Sequence, residues 1–423
     1  KKYLKTNALD ADIVQVGCIG YCSAEPLLDV QLPGQARVSF ERATGEMTPA
    51  LLDSVFKEKA PLKSHLLGQF GDGGRRWARV PLLNEHPFFA KQLRFVLKHC
   101  GIVDPLSIRE HIARGGYGAF LKVIHTMTPA QVCDMVEASG LRGRGGGGFP
   151  TGKKWKIALS SDADQKYIIC NADEGDPGAF MDRSVVEGDP HRVLEGIAIG
   201  AYAIHAGKAY VYIRAEYPLA VKNLRKAIED AKACGLLGEN IYGSGFDLDI
   251  IIKMGAGAFV CGEETALMNS IEGRRGMPKP RPPYPAVRGL FGKPTVLNNV
   301  ETFANVPEIL SRGPESFAAI GTKGAKGTKV FALSGKVNRT GLVEIPIGTT
   351  LKEIVYDIGG GIENGLAFKA VQIGGPSGGC IPASHINIEV DYESLKTVGS
   401  MMGSGGMVVM DEKTCMVDVA KFF

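Results

Sequence analysis

The sequence predicts a mixed α/β fold, in which a layered domain is followed by a smaller strand-rich module. Over residues 141–310, strand-like apolar runs alternate with amphipathic stretches of helical length, which is typical of layered α/β domains. Over residues 329–390 the order changes to strand, strand, helix and strand, which indicates a β-grasp-like module. The 423 residues exceed one average domain, and their 44% hydrophobic fraction is enough for sizeable cores.

The N-terminal residues 1–60 are predicted to form a small mixed unit. A short polar helix opens it, and two strand-like runs and a helical pattern follow, at Asp12–Val16, Leu27–Leu32 and Pro49–Phe56. Residues 61–90 are mixed and partly glycine-rich, which predicts a linker.

A helical stretch over residues 90–140 leads into the layered domain. Thr128 before Pro129 is typical of a helix start, and Gly140 ends that helix. The predicted elements that follow are the strands Tyr167–Cys170, Ala209–Arg214, Asp247–Ile252, Lys329–Ser334, Gly341–Ile345 and Ala370–Ile373, and the helices Pro190–Ile204, Tyr217–Ala233, Thr265–Glu272 and Thr350–Ile358. After Tyr392 a helical pattern predicts the start of a further unit.

Composition narrows the possible functions. The net charge of +4 is too small to indicate nucleic acid binding. The longest apolar run, near Ile197–Ile204, is too short to span a membrane. The nine cysteines are odd in number and mostly dispersed, unlike a secreted disulfide framework, so we expect a cytoplasmic protein. The first residue is not Met and the last residues are apolar, so we expect the sequence to be part of a longer chain.

Glycine makes up 55 of the 423 residues, roughly twice the usual share of about 7%, and is densest at 143–148. Consecutive glycines leave backbone N–H groups free to bind an anion, and Arg144 and Lys154 add positive charge. Gly143, Gly145 and Gly148 match G-x-G-x-x-G, yet a helix rather than a strand precedes them, so the classical dinucleotide-binding context is absent. A flexible loop is the alternative.

An acidic motif follows the first strand of the layered domain. Asn171 ends the apolar run, and Asp173, Glu174 and Asp176 come next. Acids at the carboxyl end of a strand lie where open α/β sheets bind ligands. Such groups suit sugar hydroxyls or an amide-bearing ring, and a solvated turn is the alternative.

Three weaker motifs remain. Glu263 and Glu264 open a helix, where negative charge suits the helix dipole, and simple capping is the alternative. Tyr284 is held between prolines and can present a stacking face, or belong to a rigid surface loop. Cys18 and Cys22 supply two of the four thiolates that an Fe–S cluster needs, and an inert pair is the alternative.

Four long motifs occur in a fixed order: Gly-Leu-Arg-Gly-Arg-Gly-Gly-x-Gly-Phe-Pro-Thr-Gly, Asn-Ala-Asp-Glu, Gly-Glu-Glu-Thr-Ala and Asn-Asn-Val-Glu-Thr. On them the chain resembles the NADH-binding flavoprotein subunit of respiratory complex I and its relatives in NAD-linked hydrogenases, NAD-linked formate dehydrogenases and electron-bifurcating complexes. The resemblance implies a non-classical Rossmann-like FMN/NADH-binding domain over 91–328, a β-grasp insert over 329–392 and the start of a helical Fe–S domain over 393–423. Residues 1–60 resemble part of a thioredoxin-like ferredoxin domain.

The resemblance also implies one cleft for FMN and NADH, with hydride transfer from nicotinamide C4 to flavin N5. The residues implied for the flavin are Gly143, Gly145, Gly146 and Lys154 at the phosphate and Asn171, Asp173, Asn298, Asn299 and Thr302 at the ribityl chain or ring. Those implied for NADH are Phe149 and Tyr284 for stacking and Asp176 and Glu264 for hydroxyls. Arg144, Glu174 and Glu263 are further candidates for cofactor binding.

The implied acceptors are Fe–S clusters of a multi-subunit complex. Cys18 and Cys22 match the later cysteine pair of the thioredoxin-like ferredoxin and would hold half of a 2Fe–2S cluster, and a 4Fe–4S cluster is expected beyond the C-terminal end. The expected partners are NADH and other Fe–S subunits, including a small thioredoxin-like ferredoxin subunit. A non-catalytic scaffold that docks redox partners is the alternative function, and an electron-bifurcating complex would allow the reverse direction.

Overall fold

The computed structural model describes residues 1–71 and 73–422. Asp72, in the predicted linker, and Phe423, at the end of the predicted Fe–S unit, lie outside the described residues. Three sheets organise the chain: a three-stranded antiparallel sheet, a four-stranded parallel sheet and a five-stranded mixed sheet. Within the described ranges, every helix is too short or too polar to cross a membrane.

The N-terminal unit is built on the smallest sheet. Its elements are α1 (Lys2–Thr6), β1 (Leu28–Val30), β2 (Val38–Phe40), α2 (Thr48–Phe56) and β3 (Leu66–Gln69). The predicted strand at Asp12–Val16 is wrong, because these exposed residues have no neighbouring strand to pair with. The predicted linker over 61–90 is also corrected, since β3 lies within it and pairs with β2.

Helices connect this unit to the parallel sheet. They are α3 (Pro87–Ala90), α4 (Ile108–Ala113), α5 (Gly118–Thr126), α6 (Pro129–Ala138) and α7 (Thr151–Ser160). The predicted start of α6 is confirmed: the Gln131 N–H donates to Thr128 Oγ1 at 3.3 Å, and the Thr128 N–H donates to Gln131 Oε1 at 2.8 Å. This reciprocal pair satisfies two backbone donors that a helix end leaves free.

The predicted alternation of strands and helices is confirmed. The elements are β4 (Tyr167–Ala172), α8 (Met181–Gly188), α9 (Pro190–Ile204), β5 (Lys208–Arg214), α10 (Pro218–Ala233), β6 (Asp249–Gly255), α11 (Glu264–Ile271), α12 (Pro285–Arg288), β7 (Thr295–Asn299), α13 (Val300–Arg312) and α14 (Pro314–Ala318). All four strands are parallel, in the order β6-β5-β4-β7. From β4 the chain adds β5 and β6 on one side of that strand, and β7 then pairs with the other side of β4. The carboxyl ends of β4 and β7 therefore form a topological switch point. Open α/β sheets bind ligands at such points.

The last sheet contains the predicted strand-rich module. Its elements are β8 (Thr328–Gly335), β9 (Gly341–Pro346), a π-helix (Glu353–Ile358), β10 (Phe368–Ile373), β11 (Gly379–Pro382), α15 (Tyr392–Thr397) and β12 (Gly406–Asp411), and α16 (Met416–Phe422) follows. The predicted pair of β8 and β9 is confirmed. The expectation that 393–423 starts a helical unit is corrected, since β12 lies between β10 and β8 and completes the sheet.

A buried ion pair joins the parallel sheet to the mixed sheet. The Lys329 ammonium, fully buried on β8, lies 2.5 Å from Glu301 Oε2 at the start of α13 and donates to the Ser404 carbonyl. The Val330 N–H donates to the second carboxylate oxygen of Glu301 at 2.8 Å. Burial raises the pKa of Glu301, and the Lys329 charge opposes that rise. Each charge thus offsets the desolvation of the other.

Replacing Lys329 by Met should leave the Glu301 carboxylate buried without its cation. We expect the free energy of unfolding to fall by about 3–5 kcal/mol, as for other broken buried pairs. Urea denaturation of the full chain measures the loss, with the exposed Lys323→Met as the matched control. Equal losses in the two variants would contradict this role of the pair.

Candidate functional site

The switch point brings two asparagine motifs together. Asn171 on β4 lies opposite Asn299 on β7, and Cys170 lies opposite Asn298. The indole N–H of the buried Trp155 on α7 donates to Asn298 Oδ1 at 2.9 Å. The Asn-Ala-Asp-Glu and Asn-Asn-Val-Glu-Thr motifs therefore share one edge of the sheet, although more than 120 residues separate them.

The glycine loop between α6 and α7 packs against this edge. The Gly143 N–H donates to the Phe149 carbonyl at 2.9 Å, which closes the loop. A Cβ at Gly145 would lie 3.1 Å from Asn299 Cβ, and one at Gly146, whose φ is +115°, would lie 3.2 Å from the Gly403 carbonyl carbon. The loop backbone thus lies between the β7 edge and the loop that precedes β12.

The two cations predicted for this loop differ in their surroundings. The Arg144 guanidinium is fully buried and donates to the backbone carbonyls of Arg142, Lys326 and Thr328. The Lys154 ammonium donates to the Leu297 carbonyl at 3.0 Å and lies 3.7 Å from the Glu264 carboxylate. Burial lowers the pKa of Lys154, and Glu264 opposes that effect. The Lys154 ammonium therefore lies beside a carboxylate at the end of β7, while the Arg144 guanidinium holds the loop backbone in place.

Asp173 is the most unusual group of the site. Its backbone N–H donates to Asn171 Oδ1 at 2.9 Å, but both of its buried carboxylate oxygens lack a hydrogen-bond partner among the described residues. Burial raises the pKa of Asp173 from 3.8 to about 6, against the opposing charge of Arg214. Buried acceptors without partners are rare in folded proteins, so these two oxygens indicate a ligand with hydroxyl or N–H donors.

Two of the predicted acids already have partners within the protein. Glu174 accepts the backbone N–H groups of Asp182 and Arg183 at the start of α8. Glu263 accepts those of Thr265 and Ala266 at the start of α11. Both carboxylates cap helices, as expected from the helix dipole. Cofactor contacts of Glu174 and Glu263 stay predictions, as does the side-chain contact of Arg144.

The other two acids accept hydrogen bonds from side chains rather than from a helix backbone. Ser404 donates its hydroxyl proton to Asp176, which joins the acidic motif to the loop before β12. Glu264 receives a hydrogen bond from Arg281 Nη1 at 2.6 Å. Glu264, Lys154 and Arg281 therefore form one cluster of charged side chains.

Large aromatic side chains stand exposed around this edge. Phe149 is 47% exposed and Tyr284 is 61% exposed. Phe259 is 51% exposed, and a Cβ at Gly175 would lie 3.0 Å from its ring, so it borders the acidic motif. The prediction omitted Phe259, although a lone aromatic within the glycine-rich run 255–262 was a usable signal. Exposed aromatic faces of this kind suit stacking on planar rings.

Two further contributors were also missed by the sequence prediction. The hydroxyl of Tyr392, the first residue of α15, donates to the Gly143 carbonyl at 2.8 Å. Asp182 accepts a hydrogen bond from Asn299 Nδ2, while Asn299 Oδ1 accepts the Glu301 N–H. Burial raises the pKa of Asp182, and the charge of Glu174 adds to this rise. No local pattern marks either residue, because each meets the site only through the tertiary fold.

The two predicted cluster ligands lie together. Cys18 Sγ donates to Glu25 Oε1 at 2.7 Å and accepts the Gly20 N–H at 3.2 Å. Donor atoms of Cys18, Cys22 and Glu25 all lie within 4.8 Å of one another. The neighbouring Cys22 raises the pKa of Cys18, and Cys18 lowers that of Cys22. The two sulfur atoms therefore lie close enough to bind one metal ion or cluster, with Cys22 as the more readily ionised thiol.

Known proteins share this fold and these motifs. The Nuo51 FMN-binding domain family matches residues 136–308, and the SLBB domain family matches residues 330–381. The NADP-reducing hydrogenase protein HndC of Solidesulfovibrio fructosivorans is 62% identical over 333 residues, which cover 79% of this chain and 68% of that protein. A component of the NADH-quinone oxidoreductase of Aquifex aeolicus is 49% identical over 328 residues, 78% of this chain and 75% of that protein.

A solved structure agrees. The NAD+-reducing NiFe hydrogenase in its H2-reduced state matches with a TM-score of 0.67 and 29% identity, over 100% of this chain and 67% of that chain. The chain belongs to the family of NADH-binding flavoprotein subunits of complex I and its relatives. The resemblance inferred from the motifs is therefore confirmed.

The flavoprotein subunit is an oxidoreductase that uses FMN and NADH and transfers electrons within a multi-subunit complex. Its site fits FMN on an independent ground. The ribityl chain carries hydroxyl donors, and Asp173 offers two buried acceptors that lack a partner. The FMN phosphate is an anion, and the glycine loop and Lys154 offer backbone donors and positive charge.

Replacing Gly146 by Ala should weaken FMN binding. An alanine at φ +115° is strained by about 1–3 kcal/mol, and its Cβ would push the loop away from Gly403. We expect a roughly tenfold rise in the FMN dissociation constant, since 1.4 kcal/mol corresponds to tenfold. Fluorescence titration measures it. Gly147→Ala is the matched control, because a Cβ there has open space, and an equal effect in both variants would contradict the packing argument.

Asp173→Asn should raise the thermal stability of the FMN-free chain and weaken FMN binding. Because the folded-state pKa lies above 3.8, ionisation of Asp173 destabilises the FMN-free chain as the pH rises from about 4 to 6. The variant should therefore melt above its parent at about pH 7.5, with a smaller gap at about pH 4.5. FMN binding should weaken by roughly tenfold, as a charged acceptor is lost. The exposed Asp162→Asn is the control, and a stability gap independent of pH would refute the assignment.

Proposed function

We propose that this flavoprotein subunit exchanges hydride between NADH and FMN at the β4/β7 switch point and passes single electrons to or from Fe–S clusters. The observation that carries the proposal is the Asp173 carboxylate, which is buried beside Asn171 at the end of β4 and has no hydrogen-bond partner among the described residues. Because the described residues offer this carboxylate no hydrogen-bond donor, a bound ligand would complete the site. The parent complex is proposed to be of the hydrogenase, formate dehydrogenase or electron-bifurcating type.

The flavin is held by three parts of the chain. The N–H groups of Gly145 and Gly146 and the Lys154 ammonium are proposed to hold the phosphate, while Gly143, whose N–H closes the loop on the Phe149 carbonyl, lines the phosphate region with its backbone. Asn171, Asp173, Asn298, Asn299 and Thr302 are proposed to hold the ribityl chain and ring. When bound, FMN supplies the conversion between the two-electron chemistry of NADH and the one-electron chemistry of Fe–S clusters. The protein contributes binding, orientation and electrostatics, and no side chain needs to act as an acid or base.

NADH is proposed to lie over the exposed aromatic side chains. Phe149 and Tyr284 stack on its rings, and Asp176 and Glu264 accept hydrogen bonds from its hydroxyls. The Asp176 carboxylate would repel a 2′-phosphate, which favours NADH over NADPH, whereas the charge of Glu264 is offset by neighbouring cations. Arg281 neutralises part of the charge of Glu264, at 2.6 Å, and thereby keeps that carboxylate oriented.

The ends of the chain are proposed to meet Fe–S clusters. Residues 1–60 would be part of a thioredoxin-like ferredoxin domain, with Cys18 and Cys22 as two ligands of a 2Fe–2S cluster. The SLBB match at 330–381 supports a β-grasp insert over 329–392. A 4Fe–4S cluster in a following helical domain and a small thioredoxin-like ferredoxin subunit would complete the path. All nine cysteines are free thiols, in agreement with a proposed cytoplasmic location.

Anaerobic titration tests the proposed reaction. The full chain, reconstituted with FMN, should be yellow and should lose its visible flavin absorption on addition of NADH. A chain that stays free of flavin after reconstitution would instead support the alternative, a non-catalytic scaffold. Whether NADH oxidation requires two acceptors at the same time distinguishes bifurcation from simple transfer.

Tyr284→Ala tests the nucleotide half of the cleft. Loss of one stacking face should raise the KM for NADH by roughly fivefold to tenfold, since aromatic pairs contribute about 0.5–1.5 kcal/mol beyond their burial. FMN affinity should stay within a factor of about two, because Tyr284 lies outside the phosphate loop. Steady-state kinetics with an artificial acceptor measures the change, and Tyr356→Ala, which removes an exposed ring elsewhere, is the control. An unchanged KM would remove Tyr284 from the site.

A further inference from the structure

A second cluster of ligand-type side chains lies away from the flavin cleft. His99 precedes α4, His111 lies on α4, and Asp189 lies between α8 and α9. All three side chains are at most 6% exposed. Three separate segments thus place two imidazoles and a carboxylate at one interior point, and the proposed electron transfer uses none of them.

The donor atoms are already near coordination spacing. His99 Nδ1 lies 2.9 Å from Asp189 Oδ2, and His111 Nδ1 lies 3.0 Å from Asp189 Oδ1. The three donor atoms all lie within 4.8 Å of one another. Tetrahedral ligands at about 2.1 Å from a zinc ion are about 3.4 Å apart. Small shifts of these side chains would therefore bring all three onto one ion.

His111 is the strongest sign of a missing ligand. Within residues 1–71 and 73–422, neither of its buried ring nitrogens has an aligned hydrogen-bond partner. Its ring is nevertheless fixed, because a Cβ at Gly116 would lie 2.0 Å from His111 Cδ2. An imidazole that is held firmly but left without a hydrogen bond is what an ion-binding position requires.

The surroundings supply the outer contacts that metal ligands need. His111 Nε2 lies 3.9 Å from Glu195 Oε2, and Glu195 Oε1 accepts the Phe120 N–H at 3.2 Å. A metal-bound histidine commonly directs its second nitrogen towards a carboxylate, which fixes the tautomer and the ring. Two buried carboxylates, Asp189 and Glu195, thus face the same imidazole, and a divalent cation would offset their negative charge.

We infer that His99, His111 and Asp189 form a structural site for a divalent transition-metal ion. Two imidazoles and one carboxylate suit zinc and its first-row neighbours better than Mg²⁺ or Ca²⁺, which prefer oxygen ligands. Three protein ligands leave a fourth coordination position, and the burial of all three side chains keeps that position away from substrate. The ion ties the segment before α4, α4 itself and the start of α9 together. Since zinc has no redox chemistry, the site stays outside the electron path.

Metal analysis of the purified full chain tests this inference. Mass spectrometry of the FMN-loaded chain should find close to one non-iron transition-metal ion per chain. His111→Gln and His99→Gln should lower that content at least fivefold, while the flavin content stays unchanged. His125→Gln, which alters an exposed histidine of α5, is the matched control and should retain the metal.

A second measurement covers variants that fail to fold. The unmodified chain, stripped with a chelator and titrated with Co²⁺, should develop the visible absorption of tetrahedral cobalt, which excess Zn²⁺ then removes. A folded, flavin-containing chain without non-iron metal and without this Co²⁺ spectrum overturns the inference. The three side chains would then be a hydrogen-bonded histidine–carboxylate cluster.

Discussion

The buried pair of Glu301 and Lys329 is the contact on which the arrangement of this molecule depends. Glu301 follows the asparagines that end β7, so the segment that carries the Asn-Asn motif also holds the first strand of the mixed sheet. The Lys329 ammonium reaches on to the Ser404 carbonyl, in the loop before β12. One desolvated ion pair therefore sets the distance between the two sheets, and a pair of this kind is stable only while both charges and their hydrogen bonds are present.

The position of the glycine loop depends on the distance between the two sheets. The glycine loop fits between Asn299 and Gly403 only because neither Gly145 nor Gly146 has a side chain. Tyr392 holds the loop from the mixed sheet, and Ser404 holds Asp176 from the same side. Residues that follow the SLBB match, Tyr392, Gly403 and Ser404, thus pack against the glycine loop and the acidic motif.

Local patterns predicted much of the fold. The cap of α6, the alternation around the parallel sheet and the pairing of β8 with β9 all depend on neighbouring residues, and all were confirmed. The strand expected at Asp12–Val16 does not form, and β3 and β12 do form where a linker and a helical unit were expected. A strand is stable only when another strand pairs with it, and the pairing partner cannot be predicted from a short run of residues.

The sequence by itself determined the chemistry that this chain can perform: glycines for close approach to an anion, acids and amides for hydroxyls, and aromatics for stacking. Motif order also determined the family. Only the tertiary structure decided which of these groups are free to act. Arg144, Glu174 and Glu263 bind backbone groups, whereas Asp173 keeps two buried oxygens without partners. The same holds for His99, His111 and Asp189, which three segments bring together. The physical reason is that a polar side chain binds the nearest suitable group in space, and folding alone fixes which group that is.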